Sequence, residues 1–444
     1  MVEYPRVLFV TPVAFNPFSG GGATFSSLFK NWPKDRLATV HNDPAPTSQD
    51  VCERYFKLGP DELDFFPPLN KLRRRTQMEG PPLAKTGLAP ARTNPRPRWI
   101  DFTRELILGD SIPEQSRLTP ALEQWIADFR PELLYTILGS NGMMALIERI
   151  RARFNLPVVV HIMDDWPTAA HRKGLFAPIE RPRMKRLLEK IFDTANACLG
   201  ISPAMCRAYS QRYGREFIAF QYALDLERWS NVTKHGLSPA TPSKFLYVGS
   251  IFRNAQLDSL VDCAQAIAEL NREGFPAELR IVTSDDNCAR YQNLLKLHTN
   301  ISVEAAGAGD DDFFQSLADA DVLLLPVNFD KPSVDFIRYS MPTKVPAYLN
   351  SGTPILAYGP AETAQIGYAI DKGWALAVSE RSLARLKSAM KNIVTDPALR
   401  KALSEVARKS TANHDARLVR NDFQKLLCRS ALQMSKPVIA GQNA

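Results

Sequence analysis

Apolar runs of three to five residues recur along the chain at intervals long enough to hold a helix. They lie at residues 6–10, 38–40, 133–137, 157–160, 197–201, 245–248, 279–282, 301–303, 322–325 and 354–357. The runs in the first half of the chain are largely continuous instead of alternating, which is typical of strands covered on both faces. Strands and helices in alternation predict parallel sheets wound with helices.

The pattern restarts after a stretch rich in serine, threonine and proline near residues 225–243. We therefore expect an α/β protein with two Rossmann-like, doubly wound domains, residues 1–225 and 226–425, and a tail at 426–444. Residues 415–432 have a helical pattern. Two such domains facing each other form a cleft at the carboxyl ends of their strands, where sheets of this kind bind ligands.

Positive charge is concentrated in one segment of the first domain. Residues 71–104 hold nine basic and two acidic residues, and this excess of basic residues accounts for most of the net charge of +8 of the chain. The segment is rich in proline and lacks periodicity, which indicates an insertion near 60–117. It is either a solvated loop or a patch that attracts an anionic membrane surface or an acidic acceptor. Nucleic acid is disfavoured because no aromatic interleaving accompanies the charge.

Cysteine spacing and hydropathy indicate the compartment. Six cysteines are scattered without a CxxC pair or zinc spacing, and no apolar stretch reaches the length of a membrane span. The first residues lack the basic region and cleavage site of a signal peptide. We expect a cytoplasmic protein.

Glycines follow the first strand of each predicted domain. Gly21 and Gly22 lie in a glycine cluster before the helix-like segment 25–32, and Gly249 and Ser250 precede Arg253 in the second domain. Glycines allow a close approach of the backbone, and a helix start offers free N–H groups to an anion. We expect a phosphate or sugar contact at each place. The alternatives are an ordinary turn and a surface arginine. The NAD fingerprint GxGxxG is not present.

Residues 339–356 carry the most specific pattern. Pro342 restrains a turn, Thr343 is placed to cap a helix that carries Lys344, and Gly352 is placed to end it. A lysine beside a helix N-terminus adds a point charge to an anion site. A departing diphosphate requires such a charge.

This segment resembles the stretch S-x-P-x-K-x-x-E-Y-L-x-x-G-x-P-I-L of bacterial GT-B glycosyltransferases of the group-1, or family-4, type. Residues 159–166, 200–205, 245–250 and 319–326 are similar to further elements of that family in the same order. The likeness covers most of 5–425 apart from the basic insertion.

The resemblance implies two domains in GT-B architecture and a retaining transfer of sugar from a nucleotide-diphosphate donor to an acceptor hydroxyl. It suggests synthesis of a surface polysaccharide or glycoconjugate, with the enzyme cytoplasmic or at the inner face of the membrane. The donor is then a co-substrate in the second domain, and no other cofactor and no metal is expected. The implied donor site comprises Gly249, Ser250, Arg253, Ser340, Lys344 and Tyr348, with Arg253 and Lys344 on the phosphates. The acceptor is expected in the first domain, near Gly21 and Gly22.

One departure leaves alternatives open. The family often has two glutamates eight residues apart, and these positions are Tyr339 and Ala347 here. The second glutamate usually binds the ribose. The chain is therefore also compatible with a non-catalytic member that binds a sugar nucleotide, or with a sugar-nucleotide epimerase.

Acidic residues and a histidine follow a strand of the first domain. His161, Asp164 and Asp165 end the run 157–160, where a side chain can orient or deprotonate an acceptor hydroxyl. The alternatives are a structural histidine and an aspartate that caps a turn. The acidic group 310–312 directly precedes a helix-like segment, where acidic residues favour the helix start, and the group 285–287 lacks the spacing of an EF-hand. Neither group is expected to bind a metal.

Overall fold

The computed structural model describes residues 4–16, 20–70, 111–229, 234, 236–306 and 310–433. The chain divides into two compact units, Met1–Phe220 with Arg420–Ala444, and Gln221–Val419. The described part of the predicted tail, residues 426–433, groups with the first unit. The basic segment 71–104, for which a membrane or acceptor contact is expected, lies outside the described residues.

The first unit contains a seven-stranded sheet in the order β3-β2-β1-β6-β7-β8-β9, in which every pair is parallel. Its strands are β1 (Val7–Thr11), β2 (Leu37–His41), β3 (Arg54–Lys57), β6 (Leu133–Thr136), β7 (Val158–Ile162), β8 (Ala197–Gly200) and β9 (Phe217–Ala219). Two further strands, β4 (Leu63–Phe65) and β5 (Glu114–Ser116), pair antiparallel where the chain enters and leaves the insertion.

The helices described in this unit before residue 220 are α1 (Gly20–Leu28), α2 (Pro120–Phe129), α3 (Asn141–Phe154), α4 (Trp166–Ala169), α5 (Ala177–Thr194) and α6 (Pro203–Tyr213). Side chains of Thr119 and Ser140 accept hydrogen bonds from backbone N–H groups in the first turns of α2 and α3. These bonds satisfy groups that a helix start leaves unpaired.

Aromatic side chains fill the core beside β1. Phe9 packs on Phe25 and Tyr135 with ring centroids 5.2 and 5.1 Å apart. The last helix, α15 (Ala416–Ala431), contributes Phe423, whose ring lies 5.1 Å from that of Phe29 and 5.7 Å from that of Tyr135. The N-terminal sheet and the C-terminal helix therefore share one apolar core.

The second unit contains a six-stranded parallel sheet in the order β12-β11-β10-β13-β14-β15. Its strands are β10 (Ser243–Val248), β11 (Ala277–Thr283), β12 (Ile301–Ala305), β13 (Val322–Pro326), β14 (Ile355–Tyr358) and β15 (Leu376–Val378). Its helices are α7 (Leu257–Arg272), α8 (Asp285–Leu295), α9 (Asp310–Asp319), α10 (Lys331–Ile337), α11 (Lys344–Ser351), α12 (Ala364–Lys372), α13 (Leu383–Thr395) and α14 (Pro397–Thr411). Short 3₁₀ turns lie at Lys34–Arg36 and Ala412–His414.

Each sheet reverses its strand order once. The reversal lies between β1 and β6 in the first unit and between β10 and β13 in the second. These neighbouring strands are parallel, but the connections that follow them run to opposite sides of the sheet. A crevice is thereby left at the carboxyl ends of the two strands. The predicted glycine segments follow β1 and β10, so the fold puts both of them beside such a crevice. Among the described helices, none is long and apolar enough to cross a membrane.

Candidate functional site

Hydrogen bonds from neighbouring segments hold the loop after β10 in one conformation. Gly249 has a φ of +138°, and its N–H donates to the carbonyl of Val282 at 3.0 Å. The Tyr247 hydroxyl donates to the carbonyl of Ser250 at 2.7 Å. A positive φ of this size suits only glycine, so the sequence at this turn is constrained by the backbone.

Asn328, which follows β13, holds the far end of this loop. It is completely buried, and its Nδ2 donates to the Arg253 carbonyl at 2.9 Å while its backbone N–H donates to the Ala255 carbonyl at 2.7 Å. Its Oδ1 accepts from the N–H of Ser259 in α7. One side chain therefore ties the ends of two strands at the point of order reversal.

Lys344 is the first residue of α11 and is half-buried. Its Nζ lies 3.9 Å from the centroid of the Tyr247 ring and 6.0 Å from that of Tyr348. Within the described chain no carboxylate lies within 4 Å of the ammonium. Burial without an anionic partner lowers the pKa of Lys344 to about 7. An anionic ligand at this place would supply the missing counter-charge.

Gly249 and Lys344 are in close contact. A Cβ atom added to Gly249 would lie 3.3 Å from Nζ and 3.6 Å from Cδ of Lys344. The loop that carries Arg253 and the helix that carries Lys344 therefore meet at the carboxyl end of β10. Backbone N–H groups, a lysine and an arginine on neighbouring segments are a combination that binds phosphates.

The other residues predicted to bind the nucleotide-sugar donor differ in their exposure to solvent. Ser250 and Arg253 are exposed, and Ser340 is half-buried before α11. In the described part of the chain, no carboxylate pairs with the Arg253 guanidinium. Tyr348 is buried instead, and its hydroxyl accepts from the Val248 N–H at 3.1 Å. The predicted contact of the Tyr348 hydroxyl with the sugar donor is therefore not what the structure shows. The hydroxyl instead makes a hydrogen bond that fixes α11 to β10.

Two local predictions around α11 have different outcomes. Gly352 ends the helix with a φ of +66°, as predicted. Thr343 precedes the helix, but its backbone is helical and its side chain makes no capping bond, so the predicted cap is wrong. Ala347, one of the two positions that differ from the family pattern, is 3% exposed in the apolar core of the unit.

The glycines of the first unit lie inside a helix. The sequence indicates a loop at this place, but α1 already begins at Gly20, so Gly21 and Gly22 form its first turn. A Cβ atom on Gly22 would lie 2.5 Å from the Asn16 side chain. Gly22 therefore allows the segment after β1 to pack against the helix.

His161 does not face a crevice. It is completely buried in β7, with Nδ1 at 2.6 Å from the Tyr135 hydroxyl and Nε2 at 3.1 Å from the Phe220 carbonyl. Burial lowers the pKa of this imidazole to about 3. Proton transfer with an acceptor does not fit a ring with both nitrogens occupied inside the core, and the structural alternative fits.

Asp164 and Asp165 follow β7 and have different surroundings. Asp165 is buried and accepts from the Tyr209 hydroxyl at 2.8 Å and from both terminal nitrogens of Arg212. This bidentate pair fixes the loop, so Asp165 is a structural residue here. Asp164 is exposed at the carboxyl edge of the sheet.

The acidic group at 310–312 begins helix α9, as predicted, and residues 285–286 begin helix α8. Ser284 caps α8 by accepting from the Asn287 N–H. In the residues that the structure describes, no group of three or more His, Cys, Asp or Glu side chains is placed to hold a metal ion.

Sequence reasoning missed Tyr247 and Asn328. Both stand next to a strand end at the reversal of strand order, Tyr247 one residue before the end of β10 and Asn328 two residues after β13. A polar side chain following an apolar strand is a signal that could have identified Asn328. The contact of Tyr247 with Lys344 joins distant parts of the sequence and leaves no local signal.

No protein-family model matches the chain, and no curated protein matches it. Solved structures are similar to it. A sucrose-phosphate synthase from Thermosynechococcus elongatus has a TM-score of 0.58 at 14% identity, covering 95% of this chain and 98% of that one. WaaG, a glycosyltransferase involved in lipopolysaccharide biosynthesis, has 0.57 at 12% identity, covering 95% and 99%. A UDP-forming α,α-trehalose-phosphate synthase from Burkholderia xenovorans has 0.57 at 11% identity, covering 97% and 100%. The chain therefore has the two-domain GT-B fold.

Proposed function

We propose that this protein transfers a sugar from a nucleotide-diphosphate sugar to an acceptor hydroxyl. The observation that carries the proposal is the environment of Lys344, a half-buried ammonium without a carboxylate partner in the described chain, packed on Gly249 at the end of β10. The GT-B fold supports the proposal because the structural neighbours include sugar transferases, one of them UDP-forming.

The proposed reaction breaks the bond between the anomeric carbon and the diphosphate oxygen. The bonding electrons leave with the diphosphate, and the acceptor oxygen forms the new bond while its proton is released. Lys344 and Arg253 neutralise the charge that grows on the leaving group. Because Lys344 is packed against Tyr247 and Gly249 before the reaction starts, its contribution requires little reorganisation. We assign Gly249 and Ser250 to the phosphates through their backbone, and Ser340 to the donor site.

The finer parts of the proposal extend the family resemblance. They comprise a hexosyl donor, retention of the anomeric configuration, and an acceptor on the first unit near Gly21, Gly22 and Asp164. We also propose a role in polysaccharide or glycoconjugate synthesis. Stereochemistry is measured by NMR of the product formed in the first minutes, before the anomers interconvert.

Lys344→Ala tests the proposal. We expect kcat to fall about tenfold or more, because the substitution removes one of the two positive charges that neutralise the leaving diphosphate. Lys331→Ala is the control, because Lys331 is in the same unit and its side chain is 82% exposed. Both variants are compared by sugar transfer from a panel of nucleotide sugars and by thermal unfolding. Wild-type turnover in folded Lys344→Ala would contradict the proposed mechanism.

A second candidate function is binding of a sugar nucleotide without turnover. The residues at the two family glutamate positions, Tyr339 and Ala347, favour it, since neither side chain is a carboxylate. Thermal shift with nucleotide diphosphates, followed by product detection, separates the candidates. Stabilisation without transfer supports the second one, and an isomerised donor without acceptor supports an epimerase.

We further propose that the first unit contacts an anionic membrane surface that presents a lipid-linked acceptor. The described chain resumes after the basic segment at Ser111, whose hydroxyl donates to the carbonyl of Lys173. Leu175 and Ile179 nearby are 68% and 63% exposed. Arg172 and Lys173, which are exposed beside these apolar side chains, favour contact with an anionic bilayer. Flotation with neutral and acidic vesicles tests this, and equal partitioning would contradict it.

A further inference from the structure

We infer that Tyr247 is a positioning residue that keeps Lys344 charged and joins it to the loop after β10. This inference rests on the proposed function, because it concerns the same anion site. It goes further because it assigns to the Tyr247 side chain the control of the positive charge that Lys344 presents to the diphosphate.

The contacts of Tyr247 connect both halves of the site. Its hydroxyl donates to the Ser250 carbonyl at 2.7 Å, and its ring centroid lies 3.9 Å from Nζ of Lys344. The residue is completely buried in β10, so its ring has little freedom to move. The strand thus fixes the ring, and the ring fixes both the loop and the ammonium.

The face of an aromatic ring attracts a cation, and the attraction grows when the cation is partly removed from water. Lys344 meets this condition, since it is half-buried and in the described residues no carboxylate offsets its charge. The groups that face it are the phenols of Tyr247 from β10 and of Tyr348 from α11, with Gly249 from the loop. Burial raises the pKa of both phenols, so they stay neutral. Arg253 is on the same loop and is exposed.

The ring therefore offsets part of the desolvation of the ammonium. Without it, a larger fraction of Lys344 is uncharged near neutral pH, where burial already places its pKa at about 7. Diphosphate binding favours the charged form, so binding must be accompanied by proton uptake, and uptake must increase when the ring is removed.

Two substitutions separate the ring from the hydroxyl. Tyr247→Phe keeps the ring and loses the bond to Ser250, whereas Tyr247→Leu loses both. Tyr358→Leu is the matched control, because Tyr358 is a buried strand tyrosine of the same unit that bonds to Asp262. The titration of Lys344 is followed by NMR of lysine labelled with ¹³C at Cε, with its signal assigned by Lys344→Arg.

We expect Tyr247→Leu to titrate about one pH unit lower than the wild type, and Tyr247→Phe and Tyr358→Leu to titrate close to it. In calorimetry with UDP near pH 7.5, Tyr247→Leu should take up more protons on binding and lose affinity by about tenfold. Tyr247→Phe should lose less affinity. An unchanged titration in Tyr247→Leu would overturn the inference.

A wild-type measurement covers the case in which Tyr247→Leu does not fold. The ε-methylene protons of Lys344 should be shifted upfield by the ring, and an ordinary shift would overturn the inference. Failure of the proposed function gives a different result. In that case the titration shifts as expected in Tyr247→Leu, but UDP and pyrophosphate do not bind to any variant.

Discussion

The hydroxyl oxygen of Tyr348 lies 3.1 Å from the backbone nitrogen of Val248 and 3.4 Å from its carbonyl oxygen. Tyr348 is in α11, one turn after Lys344, and Val248 is the last residue of β10, directly before Gly249. The two segments that carry the proposed phosphate contacts are thus bonded to each other through a buried side chain.

Tyr348→Phe should loosen this connection. The substitution leaves the buried N–H of Val248 without its partner, which costs about 1–3 kcal/mol of unfolding free energy. We expect the KM for the donor to rise more than kcat falls, measured by steady-state kinetics and urea unfolding. Tyr358→Phe, which removes a hydroxyl bonded to Asp262 elsewhere in the unit, should leave KM unchanged. An equal change of KM in both variants would contradict the prediction.

Gly249→Ala should weaken binding of nucleotide diphosphates. The added methyl would lie 3.3 Å from Nζ of Lys344, at a φ of +138° that alanine rarely adopts. Gly274→Ala is the control, since Gly274 has a φ of +82° and no atom within 4 Å of the added Cβ. Both should lose about 1 kcal/mol or more of stability from backbone strain. Only Gly249→Ala should lose UDP affinity in calorimetry.

Ala347→Glu should not restore the ribose contact of the family pattern. Ala347 is 3% exposed among apolar side chains, so a carboxylate introduced there loses its hydration. We expect the unfolding free energy to drop by about 3 kcal/mol or more, with no gain in UDP affinity. Thermal unfolding with and without UDP measures both quantities. A gain in affinity would mean that the glutamate reaches the ligand.

Lys344→Met should stabilise the protein at low pH while weakening diphosphate binding. Burial lowers the pKa of Lys344 from 10.5 to about 7, so the folded state carries a disfavoured charge below that pH. Wild-type stability therefore rises with pH from about 7 to 10.5, because the unfolded chain binds the additional proton. A gain of about 1 kcal/mol near pH 6 corresponds to about 2–4 °C in Tm, and it should shrink above pH 7 and disappear above about pH 10.5. Lys331→Met should show no such gain.

His161→Leu tests the structural role of the histidine. The folded protein holds His161 uncharged with a pKa of about 3, below the ordinary 6.5, so stability is lost as the pH falls from 6.5. His161→Leu has no histidine to titrate here, so it lacks this loss of stability. The amount by which its unfolding free energy falls below that of the wild type should therefore shrink by about 2 kcal/mol between pH 6.5 and 5. Urea unfolding at both pH values measures the change. The kcat of folded His161→Leu should equal that of the wild type.

The parallel sheets could be predicted because their inner strands are continuous apolar runs. Strand β3, with the sequence Arg-Tyr-Phe-Lys, was not predicted, since it is a half-exposed edge strand without such a run. The start of α1 was not predicted either, because three glycines are poor helix formers. Phe25 and Leu28, buried on that helix, supply the packing that overrides propensity.

The site was predictable in its segments and not in its contacts. Lys344 and Gly249 could be identified from the patterns around them, whereas the contact of Lys344 with Tyr247 depends on how α11 packs against β10. The assignment of His161 was wrong for the same reason. A strand sequence does not reveal that Tyr135 and Phe220, far away in the chain, occupy both ring nitrogens.

The position of α15 also determines when the first unit can be completed during synthesis. Phe423 packs against Phe29, Tyr135 and Phe220, and the Arg420 side chain donates to the carbonyl of Ser27. A ribosome therefore releases the second unit in full before it releases the residues that complete the first. A fragment that stops at residue 220 would expose an aromatic surface to chaperones, so expression of the first unit alone requires residues 420–433 to be joined to it.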